Sequence, residues 1–112
     1  MKSKILSTIS EKARGVIGRD SLEPDELFIF TGVYSGTQFH MEGVTFPIDI
    51  AFLDKDFGIL HISSMEPDSG RASAPRDTVY AVEACNDFYK SNKLKVGDFF
   101  KEVFNKISQK SL

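Results

Sequence analysis

The side chains whose types could do chemistry are few: His40 and His61, the acids Asp49, Asp54, Asp56 and Glu83, and a single cysteine, Cys85. A histidine near a carboxylate is a common acid–base pair, because imidazole titrates near neutral pH and a carboxylate can orient it. Both histidines fall in expected strands. A metal site there would need a third ligand from elsewhere, and no spaced His/Asp/Glu motif supplies one. Ordinary polar strand positions are the favoured reading for both. Asp54 and Asp56 flank Lys55 just before Phe57-Gly58, where Asp is favoured because it bonds local backbone amides. The later Gly and Glu of a calcium loop are missing, so a hairpin turn is the reading.

Asp49 differs. It follows Pro47 and Ile48 and alternates with apolar neighbours, so it is expected to face a partly enclosed surface. A carboxylate there needs a cationic or amide partner, and Arg14 and Arg19 are the candidates. A structural salt bridge from helix to sheet is preferred over a binding role, since such networks perturb local charge without doing chemistry. Nucleophile motifs are missing: there is no Gly-x-Ser-x-Gly, and no histidine adjoins Cys85 in sequence. Gly15 and Gly18 lack the preceding strand and the Lys-Ser/Thr pair of a phosphate-cradling loop. No catalytic set is assigned, and no metal or cofactor is expected.

Composition narrows the classes further. The 112 residues are 41% hydrophobic and 27% charged, ordinary for a globular chain. Ten Phe and no Trp point to a core of packed phenyl rings. A net charge of −2 gives nucleic-acid binding a low prior. Lys90, Lys93, Lys95, Lys101, Lys106 and Lys110 form one basic stretch, but acids interrupt it and a solvated face is the expected reading. One cysteine allows no intramolecular disulfide. The start, Met1 to Leu6, lacks the apolar run of a signal peptide, and no segment reaches the length of a membrane span. The expectation is a cytoplasmic or phage-associated protein, neither exported nor membrane-bound.

The elements that must position these residues read as one domain over residues 1–112. Thr8-Ile9-Ser10-Glu11 fits a capping box, so a short helix is expected over about Ile9 to Ile17, with Gly18 ending it. Leu27 to Phe30 and Gln38 to Met41 read as short strands. Ile48 to Leu53 and Ile59 to Ser63 flank the Asp54–Gly58 turn as a hairpin. Residues 65–77 read as a long loop, the kind that often carries function. Thr78 to Glu83 reads as a strand, and residues 84–91 as a helical turn. Residues 99–112 fit either a helix with Asp98 as N-cap or a strand.

Four stretches in this order resemble domain-of-unknown-function family 192, small uncharacterised proteins of bacteria, archaea and phages. They are Ala13-Arg14-Gly15-Val16-Ile17-Gly18-Arg19; Phe39-His40-Met41 with Phe46-Pro47-Ile48-Asp49-Ile50-Ala51-Phe52-Leu53-Asp54; Tyr80-Ala81-Val82-Glu83; and Val96-Gly97-Asp98. Together they span about residues 8–98. The resemblance implies a β-rich α+β domain with a barrel-like sheet and short helices, and no established reaction. The chain departs from the pattern in three ways. His40 stands where Trp is usual, the segment Ala84-Cys85-Asn86-Asp87 lacks the expected glycine, and the export signal or lipid anchor of many members is not seen.

The fold expected is therefore α+β, with a mainly antiparallel, partly closed (barrel-like) sheet and one or two short helices. The leading functional expectation is a non-enzymatic binding or accessory module for an unidentified ligand or protein. Its ligand-binding candidates are Arg14, Arg19, His40, Asp49 and Glu83, with the 65–77 loop beside them. A hydrolase-like enzyme pairing Asp49 or Glu83 with His40 or His61 is one alternative. A virion or other assembly subunit, self-associating through sheet edges or an exposed Phe99, Phe100 and Phe104, is another.

Overall fold

A computed structural model describes residues 1–110. The chain runs β1 (Lys2–Leu6), α1 (Ile9–Arg14), β2 (Glu26–Phe30), β3 (Gln38–His40), β4 (Ile48–Leu53), β5 (Ile59–Met65), β6 (Arg71–Ser73), β7 (Tyr80–Cys85), α2 (Phe88–Ser91) and α3 (Lys101–Lys110). Five strands form one sheet in the order β1-β2-β7-β4-β5, and β3 pairs with β6 in a separate ribbon. All pairings are antiparallel except β1 with β2. An α+β architecture with a mainly antiparallel sheet is thus what the chain adopts.

The hydrogen-bonded order ends at β1 and β5 and does not return on itself. The sheet is open, so the expected barrel-like closure is not seen among the described residues. β3 and β6 bond to each other and not to the five-stranded sheet, beside which they lie as a ribbon. Lys2 and Lys4 sit on the edge strand β1, where charge discourages pairing with another chain.

The sheet divides the core in two. Successive side chains of a strand point to opposite faces, and the central strand β4 is buried at all six positions. Ile48, Ile50 and Phe52 join Phe28, Phe30, Met41 and Val44 on one face. Ala51 and Leu53 join Leu27, Ile29, Phe88, Tyr89 and Phe100 on the other. The phenyl-rich core expected from composition is present on both sides, with Phe30 edge-on to Phe39 at 5.2 Å and Phe57 stacked on Tyr80 at 4.9 Å. Each fully buried ring of this kind contributes about 1.5–3 kcal/mol. The first face is covered by α1, the β3–β6 ribbon and their loops, the second by α2 and α3.

Local chemistry explains the element ends. The Thr8 hydroxyl accepts from the Glu11 N–H at 3.1 Å and the Glu11 carboxylate accepts from the Thr8 N–H at 3.0 Å, completing the capping box. Gly15, not Gly18, ends α1; its φ of +49° and ψ of −121° suit only glycine. The Asp54 carboxylate accepts from the N–H groups of Asp56 and Gly58, both at 2.9 Å, so this acid builds the hairpin turn.

The C-terminal element is a helix through Lys110; residues 111–112 of the segment read as helix or strand lie outside the described residues. Phe100 and Val103 are wholly buried, while Phe99 and Phe104 are 51% and 40% exposed. Asp98 does not cap this helix as expected. Its carboxylate accepts from the Lys95 N–H at 3.0 Å, closing the turn before it.

Candidate functional site

The first face of the sheet holds a cavity of about 340 Å³, within the range of small-molecule sites. Its floor is Glu83 of β7. In the ladders Glu83 stands opposite Phe28 on one side and Ile50 on the other, so the carboxyl rises from a wholly apolar stretch of sheet. The side chain is 5% exposed. No hydrogen bond or ion pair reaches it among the described residues, and it borders the cavity. Burial pushes this carboxyl up from its ordinary 4.5 to about 7.

The walls are apolar. Phe30 and Phe39, Val33, Met41 and Val44 line them. The mouth is polar and cationic. The C-terminal half of α1 brings Lys12 and Arg14, the end of β3 brings His40, and the 32–37 segment brings Tyr34, which is 71% exposed. Neither Lys12 nor Arg14 has an acidic partner among the described residues. The turn at Gly15 lets α1 stop at the mouth, where a Cβ would lie 3.6 Å from the Phe30 ring.

Arg14, His40 and Glu83 of the sequence candidates therefore line one cavity. Arg19 does not line it. Its guanidinium makes two hydrogen bonds to the Glu26 carboxylate, both at 2.7 Å, and lies over the Phe28 ring at 5.7 Å. That bond holds the Glu26 carboxyl below the usual carboxylate range.

Asp49 lies on the opposite face of the sheet and pairs with neither arginine, contrary to expectation. Its partners are the Ser64 hydroxyl, directly across the β4–β5 ladder at 2.9 Å, and the Asp87 N–H at 3.1 Å. Desolvation still outweighs those bonds and raises its pKa. It fastens the β7–α2 turn, where Asp87 takes a left-handed φ of +65°. The 65–77 loop also stays clear of the cavity; it folds into β6, where Arg71 sits across from His40.

His61 is exposed on β5 and stacks with the Phe52 ring at 6.5 Å. Of the four residues considered for acid–base chemistry, His40 and Glu83 line this cavity and Asp49 and His61 do not. Sequence reading missed Lys12, Tyr34 and the aromatic walls. Lys12 sits two residues before Arg14 on the same short helix, the one signal that could have drawn attention to it.

Among the described residues no group of three or more His, Cys, Asp and Glu is placed to hold a metal ion, and no helix is long and apolar enough to cross a membrane. A family model described as an uncharacterized ACR matches residues 1–101. A protein of unknown function from Novosphingobium aromaticivorans DSM 12444 superposes with a TM-score of 0.77 at 25% identity, over 87% of this chain and 71% of that one. A proposed transcription regulator from Sinorhizobium meliloti 1021 gives a TM-score of 0.79 at 20% identity, over 87% and 78% of the two chains. At that identity the second likeness speaks to fold alone. No curated protein matches the chain.

Proposed function

The chain belongs to domain-of-unknown-function family 192, and we propose that its role is to bind a small organic ligand in the cavity over Glu83. The single observation that carries this is the Glu83 carboxyl itself: buried, without a partner among the described residues, and open to the cavity. Burying a carboxyl with no compensating hydrogen bond costs several kcal/mol as a rule. A fold with ample Phe, Ile and Val in its core has apolar alternatives for that position. A ligand that satisfies Glu83 recovers the cost on binding, while the aromatic walls supply contact area.

The test is a fragment library screened by thermal shift against the wild type and Glu83→Gln. The reading predicts hits whose stabilisation is lost or sharply reduced in Glu83→Gln. Hits indifferent to that substitution would place binding elsewhere.

A second reading has a specific observation behind it. Glu83 and His40 line the same cavity, and a carboxyl titrating near neutrality suits a general acid or base. The same screen separates the two. Turnover of a Glu83-dependent hit favours catalysis; a hit recovered unchanged after long incubation favours binding.

A further inference from the structure

Resting on that reading, we infer that the ligand is an ω-amino acid-like zwitterion, its charges at the two ends of a short apolar chain, with its ammonium group on Glu83 and its acid group at Lys12 and Arg14. Three features of the cavity point this way. Among the described residues, the floor offers one carboxyl with no bound donor and the mouth carries two cations without acidic partners. Phe30, Val33, Phe39, Met41 and Val44 give the lining its apolar part. A ligand matching this order has a hydrogen-bond donor of positive charge, an apolar middle and a negative group.

The alternatives fit less well. A neutral polyol would leave Lys12 and Arg14 unanswered. A simple amine would do the same and add charge beside two cations. A simple acid would answer the mouth but bring no donor to Glu83. It would have to meet that carboxyl in its protonated form.

The proton balance separates these cases. The charged and titratable residues that line the cavity with Glu83 are Lys12 and Arg14 from α1, His40 from β3 and Tyr34 from the 32–37 segment; Tyr89 feels its charge from the other face of the sheet, and β2 and β4 place Phe28 and Ile50 beside it. Glu83 is about half protonated at pH 7 in the free protein. An ammonium group stabilises the carboxylate, so binding releases a proton to the buffer. A carbonyl or carboxylate acceptor would stabilise the acid, so binding would take a proton up.

The experiment is calorimetry at pH 7 in Pipes and in Tris. The probes are 4-aminobutyrate, 5-aminovalerate and 6-aminohexanoate, with the amines and acids that match each of them. The expected result is binding of one or more amino acids with proton release. The matching amine and acid bind at least about tenfold more weakly, the usual cost of one lost charge-assisted contact. Glu83→Gln then weakens the amino acid at least about tenfold, and Arg14→Gln with Lys12→Gln brings it down to the level of the amine. Acids that bind as tightly as amino acids, or proton uptake, would overturn the assignment. So would failure of all the amino acids. If other compounds in the wider library still bind through Glu83, only the ligand class has failed; if none does, the cavity reading has failed with it.

Discussion

Asp49 and Glu83 occupy neighbouring rungs of the β4–β7 ladder yet face opposite sides of the sheet. Asp49 pairs with Ala84 and Glu83 with Ile50, so one position of offset separates them along the strands. That single step sends the Asp49 carboxylate towards the helices and the Glu83 carboxyl into the cavity. Both are buried acids. Among the described residues Asp49 has two donors, whereas Glu83 has none, and their consequences differ accordingly.

Glu83 should make stability fall as pH rises. Its folded pKa of about 7 lies above the unfolded 4.5, so the unfolded chain releases this proton first. Below about 4.5 there is no penalty. The cost grows between 4.5 and 7 and is complete above 7, where the shift corresponds to about 3 kcal/mol. Glu83→Gln removes the charge at constant shape. It should therefore be more stable than the wild type at pH 8, by up to about 3 kcal/mol, and nearly equal to it at pH 4. Urea unfolding at the two pH values checks this; a pH-independent difference would contradict it.

Asp49→Ala should cost stability without touching the cavity. The change strips a partner from the Ser64 hydroxyl and from the Asp87 N–H, a loss of about 1–3 kcal/mol. Any ligand found for the Glu83 cavity should bind the folded variant within about twofold of the wild type, because the sheet lies between them. Denaturation and a binding isotherm on the same variant check both halves. A large loss of affinity would move the site to the other face.

Gly70→Ala should be severe although Gly70 does not itself line the cavity. A Cβ there would lie 2.5 Å from the Glu66 nitrogen and 2.6 Å from its oxygen. Those are backbone atoms of the tight turn joining β5 to β6, and they cannot give way without breaking it. A loss of at least about 2 kcal/mol is expected. Chemical denaturation measures it, and a neutral result would mean that the turn is freer than its geometry implies.

Tyr89→Phe isolates one hydrogen bond. The Tyr89 hydroxyl is buried on the helix face and donates to the Val82 carbonyl at 2.7 Å. Its removal takes that bond away while keeping the ring contacts with Phe88 and Phe100. The expected loss is about 1 kcal/mol, seen as a lower urea midpoint with an unchanged slope. A change of slope would mean that the substitution disturbs packing as well.

What the sequence made legible was the part governed by local rules. The capping box at Thr8, the Asp54 turn and the β4–β5 hairpin follow from short-range hydrogen bonding and period-two patterning, and each stands near where the residues indicated. The strand β1 escaped notice because Lys2, Ser3 and Lys4 give an edge strand almost no apolar signal; only Leu6 is buried. The three residues of β6 were absorbed into a loop for want of length. Closure of the sheet depends on which distant strands bond, and no local pattern encodes that. The candidate site was half legible for the same reason. Arg14, His40 and Glu83 could be named, but their sharing of a cavity depends on how α1 and the β3–β6 ribbon settle on the sheet. Asp49 was drawn towards the arginines by charge, whereas the fold satisfied it with a hydroxyl and a backbone amide nearer to hand.

The most direct measurement is a carbon-13 NMR titration of the Glu83 side-chain carboxyl in the free protein, assigned by its disappearance in Glu83→Gln. The account predicts a midpoint near 7, the signature of a carboxyl desolvated at the floor of a cavity with no donor among the described residues. A midpoint near 4.5 would mean that water or an unrecognised donor already satisfies it, and Glu83 could then no longer be held to await a ligand.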